Sequence, residues 1–227
     1  TRTEVRKAGD NWTYDGTKFW PDDSLDFVAI SPDISASFTA GLTSSNSKNI
    51  GYDVEDGKID LLYAANYGET KDDHKTDPVT INFRHALSQI VLKAKLTENS
   101  TIDVKINRVK IDSIIYKGNL YLAKKDTDPN ISTEGKTDTE TDDTWGKWGL
   151  ASSAQPANFM TYLMTFDEKS LGHESIEIGE PLFLLPQTLK PWLTLKEGKP
   201  QITGKARLLI NCQIVDRDSK KQLWPAS

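Results

Sequence analysis

Apolar residues recur at every second position along much of this 227-residue chain, and this period constrains the fold more than any other feature. It is clearest at residues 90–96 and 206–214, where apolar positions alternate with mostly polar ones. Successive side chains of a strand point to opposite faces of a sheet, so a period of two predicts half-buried strands. Three consecutive helical turns with caps occur nowhere in the sequence. We therefore predict an all-β fold with at most short helices.

The alternation changes parity in the middle of one long candidate strand. Apolar residues occupy even positions from 102 to 106 and odd positions at 109 and 111. Such a switch would turn the later side chains to the opposite face of the sheet unless one extra residue were inserted. We therefore predict a β-bulge near Asn107 and Arg108.

Turn signals separate many short strand candidates, a pattern typical of β-sandwiches. Strands are expected at residues 25–30, 59–64, 79–85, 114–122, 160–166 and 181–185. Residues 126–144 are rich in Asp, Thr and Lys with almost no apolar side chains, which indicates an exposed loop or linker. The chain length suits two modest domains. We therefore expect two β-sandwich domains, at residues 1–149 and 150–227.

Composition argues against several classes of protein. The net charge of -5 disfavours nucleic-acid binding, which needs a clustered basic surface. No run of apolar residues is long enough to span a membrane, and residues 1–7 lack the apolar region of a signal peptide. The sequence is therefore interpreted as a mature or trimmed form of an exported protein, or as a cytosolic protein. Cys212, the only cysteine, excludes an internal disulfide, and we predict that it is a small buried hydrophobic residue.

Motifs for catalysis are nearly absent, so we predict no enzyme and no cofactor. The phosphate-binding, dinucleotide-binding and serine-hydrolase glycine motifs do not occur. His173 is followed by Glu174 but lacks the second histidine of a zinc protease. His85 could join a serine only through the fold, and we interpret it as a strand-end residue that makes one hydrogen bond. The acidic turn at residues 53–57 allows either a calcium site or simple solvation, because it lacks a complete calcium-binding loop.

Six tryptophans suggest a carbohydrate-binding alternative, since indole rings stack on sugars. Trp145 and Trp148, beside the polar segment 126–144, are the best candidates for an exposed ligand contact. Core or interdomain packing is the other interpretation of this pair.

Short phrases spread over most of the chain resemble those of one family. Their order and spacing are more specific than any one of them, and the strongest is the Phe-Arg-His-Ala-Leu run at residues 83–87. The others are Phe19-Trp-Pro21, Leu25-Asp-Phe27, Ser31-Pro32, Asp60-Leu-Leu-Tyr-Ala64, Gly118-Asn-Leu-Tyr121 and Leu184-Leu-Pro-Gln187. On these phrases the chain resembles the fimbrillin-like proteins of Bacteroides-type Gram-negative bacteria, which are pilus subunits and related surface lipoproteins.

The resemblance implies two sandwich domains of transthyretin-like type on an exported protein at the cell surface or in a fimbria. Membrane attachment would come only from a lipid anchor outside this chain. In such proteins an arginine-specific protease removes the first strand, and a neighbouring subunit donates a strand to the groove. Arg2 and Arg6 are candidate processing sites by position, with ordinary surface arginines as the alternative. The implied partners are other fimbrial subunits joined by strand exchange, together with a host or bacterial surface ligand or glycan.

One departure from the family concerns the end of the sequence. Members usually continue beyond a Trp-Pro pair like Trp224-Pro225 into closing strands, whereas this sequence stops at Ser227. We expect either a truncated sequence or a member that accepts a strand without donating one. The alternative function is that of a surface glycan-binding lipoprotein, with Trp145 and Trp148 as its contacts.

Overall fold

The computed structural model describes residues 3–9, 11–32, 38–41, 49–122, 147–153, 155–189 and 205–225. Within these ranges the protein is all-β, with one short 3-10 helix at Pro156–Asn158, as predicted. The strands are β1 (Val5–Ala8), β2 (Asn11–Tyr14), β3 (Leu25–Ser31), β4 (Phe38–Gly41), β5 (Asn49–Asp53), β6 (Leu62–Glu69), β7 (Arg84–His85), β8 (Ser88–Ile90), β9 (Lys93–Ala94), β10 (Ile102–Ile115), β11 (Lys117–Tyr121), β12 (Lys147–Leu150), β13 (Phe159–Ser170), β14 (Ile176–Glu177), β15 (Leu182–Leu184), β16 (Arg207–Asp216) and β17 (Gln222–Trp224).

Antiparallel pairing joins these strands into two four-stranded sheets and several smaller ones. The sheet with the order β13-β10-β16-β17, called here the long sheet, contains the longest strands. The second four-stranded sheet has the order β12-β11-β5-β4, and a three-stranded sheet has the order β3-β6-β7. The pairs β1-β2, β14-β9 and β15-β8 complete the described strands.

The long sheet buries one face in an apolar core shared with the second four-stranded sheet. Val109 and Ile114 of β10 are almost wholly buried, as are Ile50 of β5 and Leu120 of β11. The buried Tyr162 hydroxyl of β13 donates a hydrogen bond of 2.8 Å to the carbonyl of Val54, and burial raises the pKa of this phenol. A buried hydroxyl needs a hydrogen-bond partner, and this bond supplies it. The bond also connects the two layers of the core.

The predicted β-bulge is confirmed. Between Ile106 and Arg108 the register of β10 shifts against both of its neighbours, β13 and β16. The shift keeps Ile106, Val109 and Ile111 on the buried face although their positions change parity. The sequence pattern thus located an irregularity that the whole sheet shares.

The strand predictions at residues 25–30, 160–166 and 181–185 are confirmed by β3, β13 and β15. The continuous strand predicted at residues 79–85 is wrong, because only Arg84–His85 pairs, as β7. The Asn66 side chain instead donates a hydrogen bond of 2.8 Å to the carbonyl of Thr80. A side-chain bond takes the place of a strand ladder there, and Phe83 is 44% exposed.

The division into domains at residues 149 and 150 stays a prediction, as does the transthyretin-like type. The long sheet combines β10, which precedes that point, with β13, β16 and β17, which follow it. The predicted linker at residues 126–144 lies outside the described residues.

Candidate functional site

Strand β16 places four apolar side chains on the core face of the long sheet. In its antiparallel register with β10, Leu208 lies opposite Ile111, Ile210 opposite Val109 and Cys212 opposite Ile106. Residues directly opposite in an antiparallel pair share a face of the sheet. The apolar residues of β16, including Ile214, therefore point the same way as the buried residues of β10.

Burial nevertheless changes sharply between these two neighbouring strands. Val109 of β10 is 2% exposed, whereas Ile210, directly opposite it, is 49% exposed. Leu208 is 53% exposed although its partner Ile111 is 8% exposed. Leaving apolar side chains in water costs free energy roughly in proportion to their exposed area, about 25 cal/mol per Å². This end of the sheet therefore gains stability from any apolar group that covers it.

The backbone of β16 is also incompletely paired. Strand β17 pairs with it only at Ile214 and Val215, so no described strand pairs with residues 208–213 of β16 on the side away from β10. We call these residues, 208–213, the open edge. An unpaired edge presents a row of N–H and C=O groups that another strand can satisfy. The open edge thus combines unused hydrogen-bonding groups with exposed apolar side chains.

A shallow cavity of about 310 Å³ lies against the open edge. Arg108 and Lys110 of β10 line it together with Asn211 of β16 and Trp224 of β17. The Trp224 side chain is 56% exposed, and Leu209 of the open edge is 41% exposed. The cavity is therefore a mixed surface of apolar and cationic groups.

Ion pairs hold both ends of β16 in the long sheet. Arg207 at its start donates to Asp112 of β10, which also accepts a hydrogen bond of 2.7 Å from Thr161. Burial alone would raise the pKa of Asp112, but these hydrogen bonds and the nearby positive charges lower it below its ordinary value. Just beyond the other end, Arg217 donates to Asp103 at 2.9 Å, and that bond lowers the pKa of Asp103. Both ends are anchored, so the open edge is held in place between them.

Of the two candidate processing residues, Arg6 lies in an exposed hairpin and Arg2 lies outside the described residues. Among the described strands, β1 and β2 pair only with each other. The Arg6 side chain is 55% exposed and forms an ion pair with Asp15. The hairpin also exposes Trp12, at 70%. A two-stranded hairpin is marginally stable in water, so this segment is only loosely tied to the rest of the fold.

The structure places Trp148 within the fold and not on an open surface. Its indole nitrogen donates a hydrogen bond of 2.7 Å to the carbonyl of Ala86, and its ring lies 6.4 Å from that of Tyr52. Trp148 is half-buried against the core. Trp145 lies outside the described residues, so a ligand contact by this pair stays a prediction.

The acidic turn at residues 53–57 uses its carboxylates in local contacts. Asp53 forms an ion pair of 3.0 Å with Lys117, and Asp56 accepts a hydrogen bond from the backbone of Lys58. Over the part of the chain that the structure describes, no three metal-ligating side chains come together. This geometry favours the interpretation of the turn as a solvated acidic surface.

Two histidines pair with carboxylates on the surface of the fold. His85, the last residue of the short strand β7, lies 2.6 Å from Asp60, which agrees with the predicted single hydrogen bond, although its side chain is 74% exposed. His74 lies 2.6 Å from Glu69, whose hydrogen bond raises the pKa of the imidazole, and its ring stacks on Trp20. Each of these histidine–carboxylate pairs connects a loop residue to a strand residue.

Sequence reasoning missed the exposure of the open edge. Cys212 lies on the apolar face as predicted, but it is only partly buried because its strand borders that edge. One signal was present in the sequence, since Leu208, Leu209 and Ile210 are consecutive apolar residues. A strand covered on one face only would carry a polar residue in the middle of such a run.

No helix within the described ranges has the length and apolar character to cross a membrane.

Comparisons with known proteins identify similar chains. A family model described as fimbrillin-like matches residues 1–199. Among solved structures, the chain is similar to a fimbrial protein from Bacteroides vulgatus ATCC 8482, with 18% sequence identity and a TM-score of 0.57. That match covers 97% of this chain and 71% of the other. At this identity the likeness concerns the fold. No curated protein matches the chain.

Proposed function

The chain belongs to the fimbrillin-like family, and on that premise we propose that it is a subunit of a cell-surface fimbria that accepts a strand from a neighbouring subunit at its open edge. Its work is assembly or adhesion, carried out by backbone pairing and groove filling. Its setting is the surface of a Gram-negative bacterium.

The observation that carries the proposal is the exposure of Leu208 and Ile210 on the core face of β16, beside the edge that no described strand pairs. A donated strand would give hydrogen-bond partners to the backbone of the open edge. Its apolar side chains would also cover the two exposed residues and extend the core. A single donated strand would thus pair the backbone of the open edge and cover its exposed apolar side chains.

The N-terminal hairpin supplies a second part of the proposal. Arg6 lies in β1 and is exposed, so an arginine-specific protease could reach the bond that follows it. Cleavage there would remove Val5 and Arg6 from β1 and leave β2 with half of its partner strand. We propose that such trimming precedes strand uptake. Arg2 is the alternative processing site.

A polymer assay tests the proposal. The full-length gene product, including any tail, is treated with trace trypsin and analysed unboiled on a denaturing gel. We expect a ladder of bands that disappears on boiling, because strand-exchanged subunits separate only when they unfold. The variant Ile210→Lys should lose the ladder, since a charge on the core face opposes a donated apolar strand.

The matched control is Leu163→Lys in β13, at the other edge of the long sheet. Leu163 is 58% exposed, close to the 49% of Ile210, so both lysines enter similarly exposed sites. The control should keep the ladder, and circular dichroism should report both variants as folded. A ladder that survives Ile210→Lys would place strand uptake elsewhere. A wild-type protein that stays monomeric would remove polymerisation from the proposal and leave a tip or accessory role.

A further inference from the structure

Two cations beside the open edge form no salt bridge with a described carboxylate, unlike two other cations in or next to the same sheet. Lys105 lies 2.7 Å from Glu168, and Arg217 lies 2.9 Å from Asp103. By contrast, Arg108 and Lys110 form no salt bridge with any described residue, although the charge of Lys110 contributes to the lowered pKa of Asp112. Both side chains line the cavity next to the open edge.

The register places these cations on the outer face of the sheet. Arg108 lies opposite Asn211, and Lys110 lies opposite Leu209. The apolar neighbours of Arg108 and Lys110 along β10, such as Val109, point into the core. The cations are therefore separated from the outer side of the open edge only by Asn211 and Leu209.

A strand added at the open edge would lie within reach of both cations. Its backbone would be two strand spacings, about 10 Å, from β10. A long basic side chain on β10 and a carboxylate side chain on the added strand together cover that distance across Asn211. Like charges close to Arg108 and Lys110 would repel one another, whereas opposite charges would favour both encounter and register.

We propose that the partner of the open edge is a strand with two distinct faces. Apolar side chains at alternate positions cover Leu208 and Ile210, and carboxylates at the intervening positions meet Arg108 and Lys110. This inference rests on the proposed function, because it names the chemistry of the strand that the open edge accepts. A purely apolar strand would bring no negative charge to the two cations.

Two designed peptides test the inference directly. Each is about nine residues long, a usual strand length, with valine at alternate positions. The intervening positions carry glutamate in the acidic peptide and lysine in the basic peptide. Binding to the whole protein is measured by fluorescence anisotropy of the labelled peptides. The rate at which iodoacetamide alkylates Cys212 locates the binding, because this thiol borders the cavity and a bound strand shields it.

We expect the acidic peptide to bind at least about ten-fold more tightly than the basic one at low salt, with the difference narrowing as ionic strength rises. The acidic peptide alone should slow alkylation of Cys212. The double variant Arg108→Glu/Lys110→Glu should reverse the preference. The control Lys58→Glu/Lys95→Glu changes the net charge by the same amount at exposed sites outside the long sheet. It should keep the preference for the acidic peptide.

The outcomes separate this inference from the proposed function. If both peptides bind equally and shield Cys212, strand uptake stands and the acidic preference is overturned. If neither peptide binds, strand uptake at this edge is overturned as well. If the control variant reverses the preference too, overall charge explains the effect, and the assignment to Arg108 and Lys110 fails.

Discussion

Strands β13 and β16 flank the same strand, β10, but they differ in how well their apolar residues are covered. On one side Tyr162 is 3% exposed and Met164 is 7% exposed. On the other side Leu208 is 53% exposed and Ile210 is 49% exposed. Tyr162 and Leu208 both lie opposite Ile111, and Met164 and Ile210 both lie opposite Val109, so their place in the register is equivalent.

The comparison shows that alternation decides which way a side chain points but not whether anything covers it. Beside β13, Leu182 and Leu184 of β15 pack close to Tyr162, near Gly57. No described element covers the open edge to the same extent, as the exposure of Ile210 shows. The half of the long sheet at β13, called here the closed half, is therefore covered by other parts of the fold. The half at β16 presents apolar side chains that a partner could cover.

The largest expected effect comes from truncating one side chain in each half. Met164→Ala should lower the free energy of unfolding by about 3 kcal/mol, because it leaves a cavity in the closed half. Ile210→Ala should lower it by less than about 1 kcal/mol, because half of that side chain already lies in water. Urea denaturation of the isolated subunit measures both values. Equal losses would mean that the open edge is covered in solution.

A smaller effect is expected at two glycines with the same backbone conformation. Gly57 has φ of 70° and Gly68 has φ of 71°, a region unfavourable for other residues. A Cβ at Gly57 would lie 3.2 Å from Leu182 and 3.3 Å from Tyr162, whereas one at Gly68 would meet no described atom within 4 Å. Gly68→Ala should cost about 1 kcal/mol from the backbone alone. Gly57→Ala should cost about 1 to 2 kcal/mol more, because the side chains of Leu182 and Tyr162 must shift to admit the added methyl group.

The difference between the two glycine variants in thermal or urea unfolding measures how tightly the closed half is packed. Similar costs at both positions would show that Leu182 and Tyr162 move aside easily, and would weaken the contrast between the two halves.

An electrostatic effect is expected at the ion pair that anchors the start of β16. Hydrogen bonds and nearby charges lower the pKa of Asp112, so the pair contributes stability above the ordinary aspartate pKa of about 4, and this contribution is lost as the pH falls through the lowered value. Asp112→Asn should cost about 1.5 kcal/mol at neutral pH and less in acid. Asp53→Asn, which affects a more exposed pair with Lys117, should cost less than about 1 kcal/mol. Unfolding curves between pH 2 and pH 7 measure both variants, and a constant cost for Asp112→Asn would contradict the assignment.

Much of the fold followed from sequence patterns because those patterns are local. The bulge between Ile106 and Arg108 is detectable from parity alone, since one inserted residue must restore the buried face. The strands near Leu25 and Phe159 followed from alternation. The segment ending at Phe83 did not, because the Asn66 side chain holds Thr80 and takes the place of the expected pairing.

The site was less predictable than the fold. The alternation of 206–214 predicted a strand with Cys212 on its apolar face, and both features are present. Its incomplete cover depends on tertiary packing and on how far β17, the next strand in the chain, runs along β16. The run of Leu208, Leu209 and Ile210 was the only local sign of this exposure, because it places apolar side chains on both faces of the strand.

By itself, the sequence determined an all-β protein, the face on which each apolar residue of β10 and β16 lies, and the position of the bulge, because a period of two acts through adjacent residues. Tertiary structure alone decided that β13 is covered and β16 is not, and that Arg108 and Lys110 lie beside an unpaired edge without carboxylate partners among the described residues. Burial and charge pairing depend on which distant strands come to lie next to one another, and a period of two carries no information about that choice.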